Sequence, residues 1–194
     1  MIDFELPQYY PAETKLENIV GNQEAKKGLV TAVDKLLTYD IDTKTNPINN
    51  FDQALLLYDR TGTGKTAIID AACNYARETL EKAGREVCFV DLNSLMMSVY
   101  IDGAAMKTEA AFKEMRKGNK LYIAVLDELH LDEIKNTEKY LKIALSQENP
   151  GNYLVLTTST DPSTVSECLK QRFKILKVDE GPCSSIDRSK KIEL

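Results

Sequence analysis

A doubly wound α/β domain, a five-stranded parallel sheet with helices on both faces, is the fold class this sequence predicts. Three observations carry that expectation. Short apolar runs alternate with longer stretches of helical periodicity over most of the chain. The runs are nearly continuous in apolar residues, which suits strands covered on both faces. The first run passes directly into a glycine-rich turn and then a helical pattern, the connection expected of a strand, a loop and a crossover helix. At 194 residues the length suits one domain, read as residues 1–178 followed by a polar tail over 179–194.

The elements follow in order. In TKLENIVGNQEAKKGLVTAVDKLLTYD, Leu29, Val33, Leu36 and Leu37 recur at helical spacing and predict a helix lying on an apolar surface. DIDTKTNPINNFD is a polar loop. ALLLY, residues 54–58, is the first strand, and TAIIDAACNYARETLEKAG the helix after it, ended by Gly84. EVCFVDL, 86–92, is the second strand. A loop over NSLMMSVYIDGAAMK and a short helix over TEAAFKEMRKG are expected next. LYIAVLDE (121–128), NYLVLTTST (152–160) and FKILKV (173–178) are the remaining strands, separated by helices over DEIKNTEKYLKIALSQ and DPSTVSECLKQ.

Composition narrows the function. Lys and Arg total 25 against 30 Asp and Glu, a formal charge of −5, so no global basic field draws the chain to nucleic acid or an anionic membrane. Cys73, Cys88, Cys168 and Cys183 show no C-x-x-C spacing; reduced thiols serving as buried small apolar residues, in a cytoplasmic protein, are the expectation. The acidic amino terminus has no leader-like pattern, and no segment approaches the ~20 apolar residues of a membrane helix.

The chemistry concentrates in DRTGTGKTA. Gly62, Gly64, Lys65 and Thr66 satisfy most of the phosphate-loop pattern G-x-x-x-x-G-K-[ST], in the required setting between a buried strand and a helix. Backbone N–H groups over Thr61, Gly62, Thr63, Gly64, Lys65, Thr66 and Ala67 can cradle phosphates at the positive end of the helix. Lys65 can reach the β and γ phosphates, and the Thr66 hydroxyl suits Mg²⁺. Asp59 stands where the pattern has its first glycine. A carboxylate about 4 Å from a phosphate oxygen costs on the order of 4 kcal/mol at an effective dielectric near 20, so nucleotide binding is expected to be weaker than with glycine.

The third apolar strand ends in Asp127 and Glu128, suited to holding a metal and to polarising an attacking water. The fourth runs into Ser159 and Thr160, hydroxyls that either orient water or cap the following turn. Arg172 precedes the last strand, either solvated or aimed at a neighbouring subunit's γ-phosphate. His130, the only histidine, suggests helix entry or packing rather than a metal centre.

In this order the motifs resemble those of the AAA+ ATPases, the P-loop NTPases that assemble as rings, from about Asn18 to about Val178. LENIVGNQEAKKGL is similar to the family's opening segment, which implies that Ile19, Val20 and Gly21 line an adenine pocket. LLLYDRTGTGKT resembles Walker A and VLDELH Walker B. LVLTTSTDPS resembles the sensor 1 segment, putting Thr160 where asparagine is usual, and LKQRF the arginine-finger segment, putting Arg172 in that role. SVYIDGAAMK is similar to the pore loop of polypeptide-gripping members, with Tyr100 at the aromatic position; the same tyrosine also suits a loop anchor on the core.

The resemblance implies ATP and Mg²⁺ as ligands, self-association into a ring or open oligomer, typically a hexamer, and remodelling of a protein substrate driven by hydrolysis. Two alternatives stand beside it: a nucleotide-binding scaffold with weak or no hydrolysis, and a nucleic-acid-directed loader or helicase-like ATPase. The family's helical lid has no counterpart in the 16 residues after Val178, so a fragment, a minimal form or a subunit that borrows its lid is expected.

Overall fold

The computed structural model describes residues 5–48, 52–96, 101–129 and 135–178. Among them are β1 (Ala54–Tyr58), β2 (Val87–Asp91), β3 (Leu121–Leu126), β4 (Tyr153–Ser159) and β5 (Lys174–Lys177), all parallel in the order β2-β3-β4-β1-β5. The chain leaves β1 for the far edge at β2, returns through β3 and β4, and crosses to the other side of β1 for β5. The reversal beside β1 opens a crevice at the carboxyl ends of β1 and β4, where ligands of such sheets bind.

The helices are α1 (Gln23–Leu37), α2 (Lys65–Lys82), α3 (Leu92–Met96), α4 (Ile101–Met115), α5 (Lys135–Ser146) and α6 (Glu167–Lys170). Alternation along the strands divides the core into two layers. Leu55, Leu57, Ile123, Val125, Leu154 and Leu156 face Leu29, Val33 and Leu36 of α1 and Ile68, Ile69 and Ala72 of α2. Leu56, Ala124, Leu126 and Val155 face the opposite way, toward Leu95 of α3, Phe112 of α4, Leu141 of α5 and Leu169 of α6. Phe112 meets Tyr153 edge-on at 5.8 Å between ring centroids. Helices therefore cover both faces, as the alternating pattern predicts.

Two expectations along the chain change. The segment read as a loop over 93–107 is helical where it is described: α3 follows β2 without a break, and α4 starts at Ile101, well before Thr108. Asp102 and Gly103 give that stretch the look of a turn, yet Ala104, Ala105, Ala111 and Phe112 bury one face, and packing overrides local propensity. The helix expected over DPSTVSECLKQ is instead a 3₁₀ turn at Pro162–Thr164 and the four-residue α6, because Asp161 and Ser166 each cap a separate turn through their side chains. Cys73 is buried and Cys88 half-buried, but Cys168 is exposed on α6, which buries only Leu169.

The amino-terminal segment adds a feature the sequence did not announce. Gln8 pairs antiparallel with Val90 on the edge of β2, with Tyr9 N donating to Phe89 O at 3.1 Å and Asp91 N to Pro7 O at 2.9 Å. The chain then crosses α2, where Asn74 Nδ2 donates to Ala12 O and Thr14 O at 2.7 and 2.9 Å. The Tyr9 hydroxyl donates to Asp70 Oδ1 at 2.6 Å. The segment thus covers a sheet edge that would otherwise be open, and pins itself to the helix that carries the glycine-rich loop. Among the described residues no helix is long and apolar enough to cross a membrane.

Candidate functional site

The glycine-rich loop leaves β1 at Tyr58, and its first amide, Asp59 N, donates to Ser159 O at 3.3 Å, tying it to the end of β4. Gly62 and Gly64 have φ of +84° and +86°. Both have open space where a side chain would project, so backbone geometry, not crowding, requires glycine here. α2 begins immediately afterwards at Lys65, leaving its first N–H groups directed into the crevice. Lys65 is buried beneath the loop, with Nζ donating to Asp59 O at 2.6 Å and Arg60 O at 2.7 Å. Burial lowers the pKa of this ammonium, opposed by the negative charges of Asp59, Asp127 and Glu128.

A chain of hydrogen bonds joins the loop to the ends of β3 and β4. Thr66 Oγ1 donates to Asp127 Oδ2 at 2.8 Å, and Thr158 Oγ1 donates to Asp127 Oδ1 at 2.6 Å. The Thr158 oxygen also accepts from Glu128 N at 2.7 Å. Glu128 has φ of +55°, a turn that carries the chain out of β3 and leaves this residue exposed beside the crevice. Asn93, oriented so that its amide matches donors to acceptors, bridges both backbone groups of Asp127, donating to its O at 3.0 Å and accepting from its N at 3.1 Å. The Asp127 carboxylate is therefore held from α2 and β4, and its backbone from the start of α3. The oxygens of Thr66 and Asp127, hard donors within hydrogen-bond contact of each other beside the buried ammonium, fit Mg²⁺ and a bound polyphosphate.

Thr61, Thr63 and Ala67 complete the same loop and first helical turn, with Thr63 Oγ1 donating to Arg60 O at 2.9 Å. Ile19 packs against the layer formed by α1 and α2, and its carbonyl accepts from Lys26 Nζ at 2.7 Å. Val20 is 65% exposed, and Gly21 leads into α1. Thr160 is half-buried just beyond β4. Arg172 is exposed between α6 and β5. Because Lys174 pairs with Leu55 in parallel register, Arg172 lies at the amino end of the sheet, roughly 15 Å or more from the loop of its own chain. Tyr100 and His130 lie outside the described residues.

Three features escaped the sequence reading. Thr158 is the threonine that reaches Asp127; alternation from Leu154 and Leu156 puts it on the α2 face of β4, a signal the TTST run conceals. Asp70, one turn beyond Thr66 on α2, is buried, and that burial raises its carboxyl pKa against the hydrogen bond from Tyr9. The Asp59 carboxylate turns back on the loop: Oδ1 accepts from Arg60 N at 2.8 Å, while Oδ2 is buried without a hydrogen-bond partner.

The family AAA, described as the ATPase family associated with various cellular activities, matches residues 55–178, a span running from β1 to the end of β5. The chain belongs to the AAA family. This AAA chain resembles the structure of C. elegans PCH-2 with a TM-score of 0.62 and 20% identity, over 86% of this chain and 46% of that one. It also resembles a structure describing the basis for katanin self-assembly, with a TM-score of 0.57 and 19% identity, over 85% of this chain and 53% of that one. It thus spans about half the length of either, and at these identities the likeness is one of fold. No curated protein matches the chain.

Proposed function

We propose that the chain binds ATP with Mg²⁺ and hydrolyses it to ADP and phosphate as the core of an oligomeric AAA+ assembly. The observation that carries this reading is the junction of Thr66, Asp127 and Thr158, which links the phosphate loop to the carboxylates at the end of β3. Loop amides from Thr61 to Ala67 bind the phosphates, and Lys65 contributes the positive charge that draws the terminal ones. Thr66 and Asp127 would hold Mg²⁺, which supplies charge neutralisation at the phosphates. Glu128, exposed beside Asp127, accepts a proton from the attacking water. Ile19, Val20 and Gly21 border the nucleoside, and Thr160 stands beyond β4 where it can orient water.

Arg172 completes the site of a neighbouring subunit, because the parallel register keeps it away from its own loop. Self-assembly is named for the katanin structure, and family membership supports it for this chain, with a hexameric ring as the expected form. A protein substrate suits the acidic balance better than nucleic acid does. Tyr100, if it lines a pore, is the residue that grips it. The buried, unpaired oxygen of Asp59 favours one alternative, a nucleotide-binding subunit that turns over slowly.

Phosphate release by wild type and Glu128→Gln separates the two. Hydrolysis through Glu128 predicts a fall of about 10²- to 10⁴-fold in the variant. Equal rates in the two proteins contradict it.

A further inference from the structure

Asp59 opens the glycine-rich loop, and its charge acts on Lys65. Its backbone carbonyl and that of Arg60 receive Lys65 Nζ at 2.6 and 2.7 Å, so the ammonium rests against the backbone of the residue whose carboxylate is in question. Of the three carboxylates whose charge acts on Lys65, Asp59 has the largest influence, ahead of Asp127 and Glu128. The Asp127 carboxylate is compensated: it accepts from Thr66 and Thr158 through its two oxygens. At Asp59 only Oδ1 is satisfied, by Arg60 N, and Oδ2 is buried with no hydrogen-bond donor. A buried carboxylate oxygen without a donor keeps its field, because neither water nor a proton donor screens it.

A nucleoside diphosphate and a triphosphate use the loop differently. The amides between Thr61 and Thr66 wrap the phosphate nearest the helix, which both nucleotides possess. Lys65 reaches the β-phosphate of either nucleotide, and the triphosphate adds a γ-phosphate that brings further negative charge to the ammonium that Asp59 already serves. Asp59 therefore opposes both nucleotides at Lys65, and the more highly charged triphosphate more strongly.

We infer that Asp59 is a specificity-determining residue that biases the site toward nucleoside diphosphate over triphosphate. The inference rests on the nucleotide reading above and assigns that site a direction: it retains the hydrolysed product and admits fresh triphosphate reluctantly. Glycine at this position, having no side chain, leaves the two nucleotides to the loop and Lys65 alone.

The test is calorimetric binding of Mg-ADP and of the Mg complex of the β,γ-imido analogue of ATP to the full chain, for wild type, Asp59→Asn and Asp59→Gly. Asp59→Asn keeps the acceptor for Arg60 N and removes the charge; Asp59→Gly removes both and serves if the first variant unfolds in a thermal melt. The expected result is that wild type binds the diphosphate more tightly. In either variant the preference should shrink by about tenfold, mainly through tighter binding of the triphosphate analogue. Binding with the same diphosphate-to-triphosphate ratio in all three proteins overturns the inference and leaves the nucleotide site standing. Absence of binding by either nucleotide to any of the three overturns both.

Discussion

Thr158 carries more of the candidate site than its place in a threonine-rich strand suggests. Its hydroxyl donates to Asp127 and accepts from the amide of Glu128, so one side chain sets both the carboxylate suited to the metal and the turn that presents Glu128. Thr158→Val preserves the shape of a fully buried residue and removes both hydrogen bonds. A hydrogen bond to a charged group is worth about 1.5–3 kcal/mol, so ATP turnover should fall roughly 10- to 100-fold and the Mg²⁺ dependence should move to higher concentration. Thr158→Ser keeps the hydroxyl and should recover most of both. Titrating Mg²⁺ against turnover in the three proteins checks this; a valine variant indistinguishable from wild type would show that Asp127 is held well enough by Thr66 and Asn93. The residues of the loop were legible because fixed spacing in a strand-to-helix setting signals phosphate binding. Thr158 was not, because its role depends on which of several adjacent hydroxyls faces α2, a fact set by strand register.

At the level of elements, α2 links the loop to the amino-terminal segment. Thr66 and Asp70 are one turn apart on it, the first contacting Asp127 and the second receiving the Tyr9 hydroxyl. Burial raises the Asp70 pKa in the folded state, so the native protein holds its proton more firmly than the unfolded chain does. The sign follows: this contribution to stability is complete below the ordinary value of 3.8 and is lost as pH rises through the folded-state pKa. Asp70→Asn retains an acceptor for Tyr9 and cannot ionise. Its stability relative to wild type should therefore improve as pH rises above 3.8 and then level off, as urea unfolding at pH values between about 4 and 8 would register. A constant difference across that range would contradict the assignment. The strands were readable from continuous apolar runs, and β1 has the bounds the sequence predicts. α4 was not, since its first turns look like a loop until α5 and the sheet are present to cover them. The pairing of Gln8 with β2 joins residues more than eighty positions apart, and no local pattern in QYYP names that partner.

For the whole molecule, the parallel sheet places the candidate residues at two opposite ends. The loop, Asp127 and Glu128 gather at the carboxyl ends of the strands, while Arg172 sits at the amino end of β5, away from the loop of its own chain. On the proposed function, Arg172 serves a neighbouring site, so activity is expected to depend on assembly. The fold class was the most legible property, because alternation of strand and helix patterns leaves few other arrangements. An assembly was suggested only through one arginine and the family that its motif resembles. ATP turnover per subunit, measured from low to high protein concentration for wild type and Arg172→Ala, tests the central claim directly. The account predicts that wild-type turnover per subunit rises with concentration to a plateau, while Arg172→Ala stays low throughout and still binds nucleotide. Turnover per subunit that is independent of concentration and equal in the two proteins would contradict it.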